Sequence, residues 1–403
     1  MLERLVIGLL ALNALVLAML LAMELTADED AEAVVAIDGT DEPARVQSAV
    51  NRGDGAAPVE QVAEPPVDTA APAAVPPQEP SDVDESPAGE PDSGLDPPPV
   101  PELFVAAANE VQPEAKEMGA MVVHRLTNYE VGSSLPEVLA TLPLVDPAHG
   151  ESTASEAARV HHPKMWSRGT VEYVQNGGHL NGRISLIIVV RQELGIEGEP
   201  EPVHTETRTM EVRLATAETG AWTLETVAST GGSPISRPAD LSALAAAVVD
   251  HDRIDLPDTG VWDIYAGLIN EQLLWVMLDI AERTPYKVVV LQTGHSYNVF
   301  GTTRVSNHSV GRAVDIYMLE TEVIIDAHDP SSESYALSEW IVSRYDIREF
   351  GSPWKFPDAV AHTFTNEVHH DHLHIGVQSY PTSPEPPPTT TTTAPPSAAD
   401  GSD

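Results

Sequence analysis

The sequence predicts two small α+β domains placed after an N-terminal transmembrane helix and a disordered linker. Three observations predict this. An apolar run opens the chain, a Pro/Ala/acidic segment follows it, and helical and alternating patterns then mix across two further regions. Helices and strands mixed within regions of this size indicate compact α+β units.

Leu5 to Met23 is apolar except for Gly8 and Asn13, long enough to cross a bilayer as a helix. Arg4 precedes it and Asp28, Glu29 and Asp30 follow, which orients the N-terminus to the cytoplasm. Residues 1–27 are therefore expected to be a signal-anchor, giving a single-pass cell-membrane protein whose C-terminal domains are extracellular. The competing reading is a signal peptide cleaved near Leu25-Thr26-Ala27, giving a secreted protein; the apolar run exceeds the usual length of a signal core.

Residues 28–101 are dominated by Ala, Pro, Glu and Asp, as in Asp96-Pro97-Pro98-Pro99. Such a segment cannot bury enough apolar surface to offset its ordering entropy and is expected to be a disordered spacer. Residues 381–403, with Pro386-Pro387-Pro388 and Thr389 to Thr393, read as a second disordered tail.

The region 102–235 opens with a helical stretch over Pro113 to Glu130. Strand patterns follow at Thr170–Val174, Arg183–Gln192, Thr205–Leu214 and Trp222–Ala228, with Asn176-Gly177-Gly178 and Asn181-Gly182 as turn signals. This accessory domain loosely resembles nuclear-transport-factor-like domains but carries no motif. His161-His162 reads as solvated surface. The region 236–380 has a helical pattern over Leu268–Arg283 and a strand at Lys287–Leu291. Another strand follows at Ala313–Met318, a helix at Tyr335–Tyr345 and a final strand at His372–Val377.

A net charge of −41 argues against nucleic acid as a partner, because phosphates would be repelled. The chain has no cysteine, which removes thiol nucleophiles, disulfides and cysteine-ligated metals. Any metal must be held by His, Asp or Glu.

Two segments of the second region carry such residues: Ser306-Asn307-His308-Ser309-Val310-Gly311-Arg312-Ala313-Val314-Asp315 and His369-His370-Asp371-His372-Leu373-His374. A catalytic zinc takes three N/O protein ligands and keeps one open position. Asp315 sits in an apolar strand, where an unpaired carboxylate is costly. His372 and His374 are two apart on a strand and so share a face.

The first segment fits S-x-H-x-x-G-x-A-x-D and the second fits acidic-x-x-His. Together they resemble the D-alanyl-D-alanine carboxypeptidase, murein endopeptidase and hedgehog-type group of zinc metallopeptidases, over about residues 285–378. The resemblance implies Zn2+ held by His308, Asp315 and His374, with Asp371 as general base. His372 would orient or stabilise the reacting oxyanion, and His369 matches a further histidine of the murein-endopeptidase branch. Peptidoglycan peptides are the implied substrate. Where the group often has S-G-Y-R, this chain reads Thr293-Gly294-His295-Ser296, so Arg304 or His295 is expected to take the arginine's place. Gly311 is expected to allow close packing or a positive φ, and Ser306 to fix its loop by hydrogen bonding.

The alternative from another class is a non-catalytic zinc-containing wall-binding or sensor module. A serine penicillin-binding enzyme is excluded, because Ser352-Pro353-Trp354-Lys355 lies downstream of Ser296-Tyr297-Asn298 and no K-T-G follows.

Overall fold

The computed structural model describes residues 96–143, 147–345, 347–356 and 362–378. The expected membrane span, the linker up to residue 95 and the C-terminal tail lie outside the described residues. Among the described residues, no helix is long and apolar enough to cross a membrane. The fold is mixed α and β, with seven α-helices and two sheets among the described residues.

Residues 96–101, expected within the linker, lie against the first sheet instead. Arg168 Nε donates to Pro98 O at 2.5 Å and His124 Nε2 to Pro101 O at 3.0 Å. Helix α1 (Pro113–Thr127) starts on a proline, whose missing N–H costs nothing at that position. Its buried stripe of Ala115, Lys116, Gly119, Ala120, Val123 and Leu126 follows helical spacing. Two short helices follow, α2 (Leu135–Ala140), opened by a Ser134/Glu137 capping box, and α3 (Gly150–Ala157).

Strands β1 (Trp166–Leu180), β2 (Arg183–Gly195), β3 (His204–Thr216) and β4 (Trp222–Ser229) form an antiparallel meander in chain order. Asn181 (φ 51°) and Gly182 (φ 69°) make the β1–β2 turn, where positive φ at both central positions matches the twist of a hairpin. The other turn signal, Asn176-Gly177-Gly178, makes no turn. It is a bulge inside β1, where the register with β2 shifts between Asn176 and Gly178.

The alternation of β2 explains how the two sheets meet. Ile184, Leu186, Ile188 and Val190 face the core shared with α1. Ile187 and Val189 point to the opposite face, where they join Tyr173, Val289, Val290 and Tyr317 in a cluster spanning both sheets. The two regions keep their own cores and sheets and lie side by side within one compact unit.

The second region runs through α4 (Ala243–Val249), β5 (Ile254–Asp255), α5 (Asp258–Tyr265), α6 (Glu271–Ala281), β6 (Tyr286–Val290), β7 (Ala313–Leu319), β8 (Glu322–Val323), α7 (Glu333–Arg344), β9 (Ile347–Gly351), β10 (Thr363–Phe364) and β11 (Leu373–Val377), and its strands form the second sheet. Strand order is β10-β9-β11-β7-β6-β5, with β8 paired to β7. Helix α6 begins later than the periodicity suggested because Asn270 caps it, its side chain accepting from Gln272 N. The central strands β7 and β11 are antiparallel, and their register sets His374 directly opposite Asp315.

Candidate metal centre

The β7–β11 pairing brings two of the expected ligands together, and a one-turn 3₁₀ segment, His308–Val310, supplies the third. That segment ends on Gly311 at φ 65°, where a Cβ would stand 1.8 Å from Leu268 O. No L-residue fits there without moving backbone. Ser306 Oγ accepts from His308 N at 3.3 Å, the loop-fixing contact expected of it.

His308, Asp315 and His374 are all buried, and one donor atom of each lies within 4.8 Å of the others. His308 Nε2 stands 3.1 Å from Asp315 Oδ1 and 3.2 Å from His374 Nδ1, and His374 Nδ1 stands 2.8 Å from Asp315 Oδ1. The far nitrogen of each imidazole faces a group that can only accept. His308 Nδ1 donates to Leu291 O at 2.7 Å and His374 Nε2 to Glu349 Oε1 at 3.1 Å. Each ring therefore carries its proton away from the centre and turns a lone pair toward it.

In that tautomer two lone pairs and a carboxylate oxygen converge in a buried site, a donor set that a cation can bridge. Ligand atoms about 2.0–2.1 Å from a tetrahedral zinc stand roughly 3.3 Å apart, close to the spacing seen. The residues present fit a metal ion held by N and O donors. Without a metal, burial opposes protonation of His374, yet its bonds to Asp315 and Glu349 raise it to about 10, so a bound cation would take the place of the proton on Nδ1. Burial would raise Asp315, but the neighbouring His308 and His372 hold it well below the usual carboxylate range. Glu349 is likewise held low, its burial outweighed by His374 and Asn307.

The centre lines a cavity of about 500 Å³. His369 and His372 line it too, their ring centroids 5.0 Å apart. Burial first, then the neighbouring His372 and His374, hold His369 well below its ordinary value. Its Nδ1 donates to Asn366 Oδ1 at 2.7 Å. His295 stacks on His308 at 4.4 Å, and burial with that neighbour lowers it to about 4. Arg304 lines the cavity, half committed to Glu349 Oε2 at 3.3 Å and still mostly exposed.

Asp371 does not line this cavity. It is fully buried behind His372, and both its oxygens are engaged. Oδ1 accepts from His372 Nδ1 at 2.6 Å; Oδ2 accepts from Lys116 Nζ at 2.6 Å and from Asn176 N at 2.9 Å. Burial would raise its pKa, but Lys116 and His372 outweigh that and hold it at about 2. The base role that the resemblance implies for Asp371 does not suit this placement, because the carboxylate is fully buried and does not reach the cavity where a water would sit. Its geometry makes it an orienting group for His372, whose Nε2 is left free and lies 3.8 Å from Asp315 Oδ2.

Several residues here were not anticipated from the motifs. Glu349 comes from β9, and Lys116, Tyr173, Gln175 and Asn176 come from the first region. Tyr173 Oη donates to the Asp371 carbonyl and Gln175 Nε2 to Asp315 Oδ2 at 2.6 Å. One signal was available: Lys116 falls on the apolar stripe of α1, where a charge needs a buried partner. His161 and His162 are half-buried rather than solvated, with His161 packed on Tyr129 at 4.6 Å and bonded to Ser133 O. Comparison with models of known protein families, with curated proteins and with solved structures finds no match to this chain.

Proposed function

We propose that this chain is a zinc-dependent peptidase that hydrolyses peptide bonds of bacterial cell-wall peptidoglycan, in the manner of D-Ala-D-Ala carboxypeptidases or murein endopeptidases. Its N-terminal apolar segment would tether it outside the membrane. The observation that carries the reading is the buried convergence of His308, Asp315 and His374, with both imidazole protons tied off outside the cluster. That arrangement opens onto a cavity rather than closing into a structural plug.

When bound, zinc supplies a Lewis acid that polarises the scissile carbonyl and acidifies the attacking water. His372 takes the water proton at Nε2 while Asp371 holds its other nitrogen and so fixes the tautomer. The water oxygen bonds to the carbonyl carbon, the C–N bond breaks, and the amine leaves with the proton that His372 returns. Arg304 and Arg348, both lining the cavity, are placed to meet a carboxylate on the peptide.

The test is incubation of the zinc-loaded full chain with purified muropeptides, read by mass spectrometry. Release of alanine or of cleaved cross-links, lost in His372→Gln with zinc retained, supports the reading. Zinc-loaded wild type that binds peptidoglycan but releases no product on any muropeptide would leave the non-catalytic wall-binding module.

A further inference from the structure

We propose that the four-stranded sheet is an integral part of this metal centre, with Gln175 as the residue that fixes the Asp315 carboxylate for metal binding. The proposal rests on the reading of His308, Asp315 and His374 as ligands, and goes beyond it by assigning a role to a region that the motifs do not reach.

Gln175 lies on β1 just before the bulge and is 1% exposed. Its Nε2 donates to Asp315 Oδ2 at 2.6 Å, whereas His308 and His374 both face Oδ1. The two oxygens of the carboxylate are thus divided: one turns to the imidazole lone pairs, the other is held by the sheet. A carboxylate accepts only, so the amide must turn its NH₂ to Asp315. With one oxygen tied, the carboxylate cannot swing about its Cβ–Cγ bond, and Oδ1 stays where the imidazole lone pairs converge. Partners of this kind orient ligands and raise metal affinity.

The neighbouring contacts point the same way. Asn176 N and Tyr173 Oη both bond Asp371, so three residues in four along β1 hold the metal ligand on β7 and the group that orients His372. Gln175 Oε1 is buried with no hydrogen-bond partner, so the charge-assisted bond from Nε2 to Asp315 is the contact that offsets burial of this amide. The bulge at Asn176-Gly177-Gly178 follows Gln175 directly along β1. A Cβ on Gly178, at φ 146°, would stand 2.4 Å from Phe300 Cβ.

The test is zinc affinity of the full chain, measured by competition with a chromogenic chelator, for wild type, Gln175→Met and Val189→Ala. Gln175→Met keeps the length of the side chain and removes the donor. Val189→Ala loosens the apolar contact between the sheets without touching Asp315. The expected result is a roughly 10- to 100-fold weaker zinc affinity in Gln175→Met, with the circular dichroism spectrum unchanged, and a change within about threefold in Val189→Ala. If Gln175→Met does not fold, Gln175→Asn, too short to reach Asp315, carries the same expectation. Wild-type affinity in the folded Gln175 variant, or an equal loss in Val189→Ala, overturns the proposal while leaving the metal site intact. Wild type that binds no zinc overturns both this proposal and the functional reading beneath it.

Discussion

Lys116 Nζ lies 2.6 Å from Asp371 Oδ2, and both side chains are wholly buried. The lysine belongs to the helix of the first region and the aspartate to the last histidine segment of the second. Glu110 closes on the same ammonium, so one cation sits between two carboxylates. Burial works against its charge, but Asp371 and Glu110 more than offset that and raise its pKa above the ordinary lysine value. This triad ties α1 of the first region to the residue that orients His372.

Removing the cation should therefore cost more than a surface ion pair would. Lys116→Met leaves Asp371 buried without its partner and is expected to destabilise the chain by about 3–5 kcal/mol. Urea denaturation measures this. A loss below about 1 kcal/mol, the range of exposed pairs, would show that the triad is not buried as described.

Acid should reveal the same contact. Burial would raise Asp371, but Lys116 and His372 outweigh it and hold the carboxyl at about 2 in the folded chain against an ordinary 3.8. A lowered carboxylate stabilises above its unfolded pKa, and that contribution is lost as pH falls from about 4 toward 2. The shift corresponds to about 2 kcal/mol. Glu110, raised mainly by its burial, acts in the opposite sense, so the comparison is made with Asp371→Asn in a Glu110→Gln background. The urea midpoint of the Asp371 form is expected to fall more steeply over that range than that of Asp371→Asn; parallel profiles would contradict the assignment.

Glu349→Gln should weaken metal binding. The glutamate accepts from His374 Nε2 at 3.1 Å and from Asn307 Nδ2, fixing the ring with Nδ1 inward. Replacing the carboxylate by an amide lets the ring adopt the other tautomer. About a 10-fold or greater loss of zinc affinity is expected in chelator competition.

Gly311→Ala is expected to destabilise by about 2–3 kcal/mol, since a side chain would meet Leu268 O and sit at positive φ. Thermal melting of the two forms checks it, and an unchanged melting temperature would rule out the tight loop under His308.

Much of this was legible in the chain because local pattern and tertiary need agreed. The apolar run Leu186–Val190 that marks Arg183–Gln192 as a strand also buries β2 on both faces, and S-x-H-x-x-G-x-A-x-D places two candidate ligands on one loop and strand. What was not legible depends on pairing across long separations. Nothing near Gln175 or Glu349 signals that they reach Asp315 and His374, because those contacts arise only when β1 and β9 arrive beside β7 and β11. Asn176-Gly177-Gly178 misled for a related reason: glycines that suit a turn also suit a bulge, and tertiary packing decides between them. Asp371 matched an acidic motif position, yet its role depends on Lys116, 255 residues away in sequence.

The most direct measurement is the metal content of the purified full chain by inductively coupled plasma mass spectrometry, for wild type, His308→Ala and His374→Ala. About one zinc per chain in wild type, lost in both variants, is the expected result for a three-ligand site. Wild type that takes up no stoichiometric metal after reconstitution, or variants that keep it, would contradict the account.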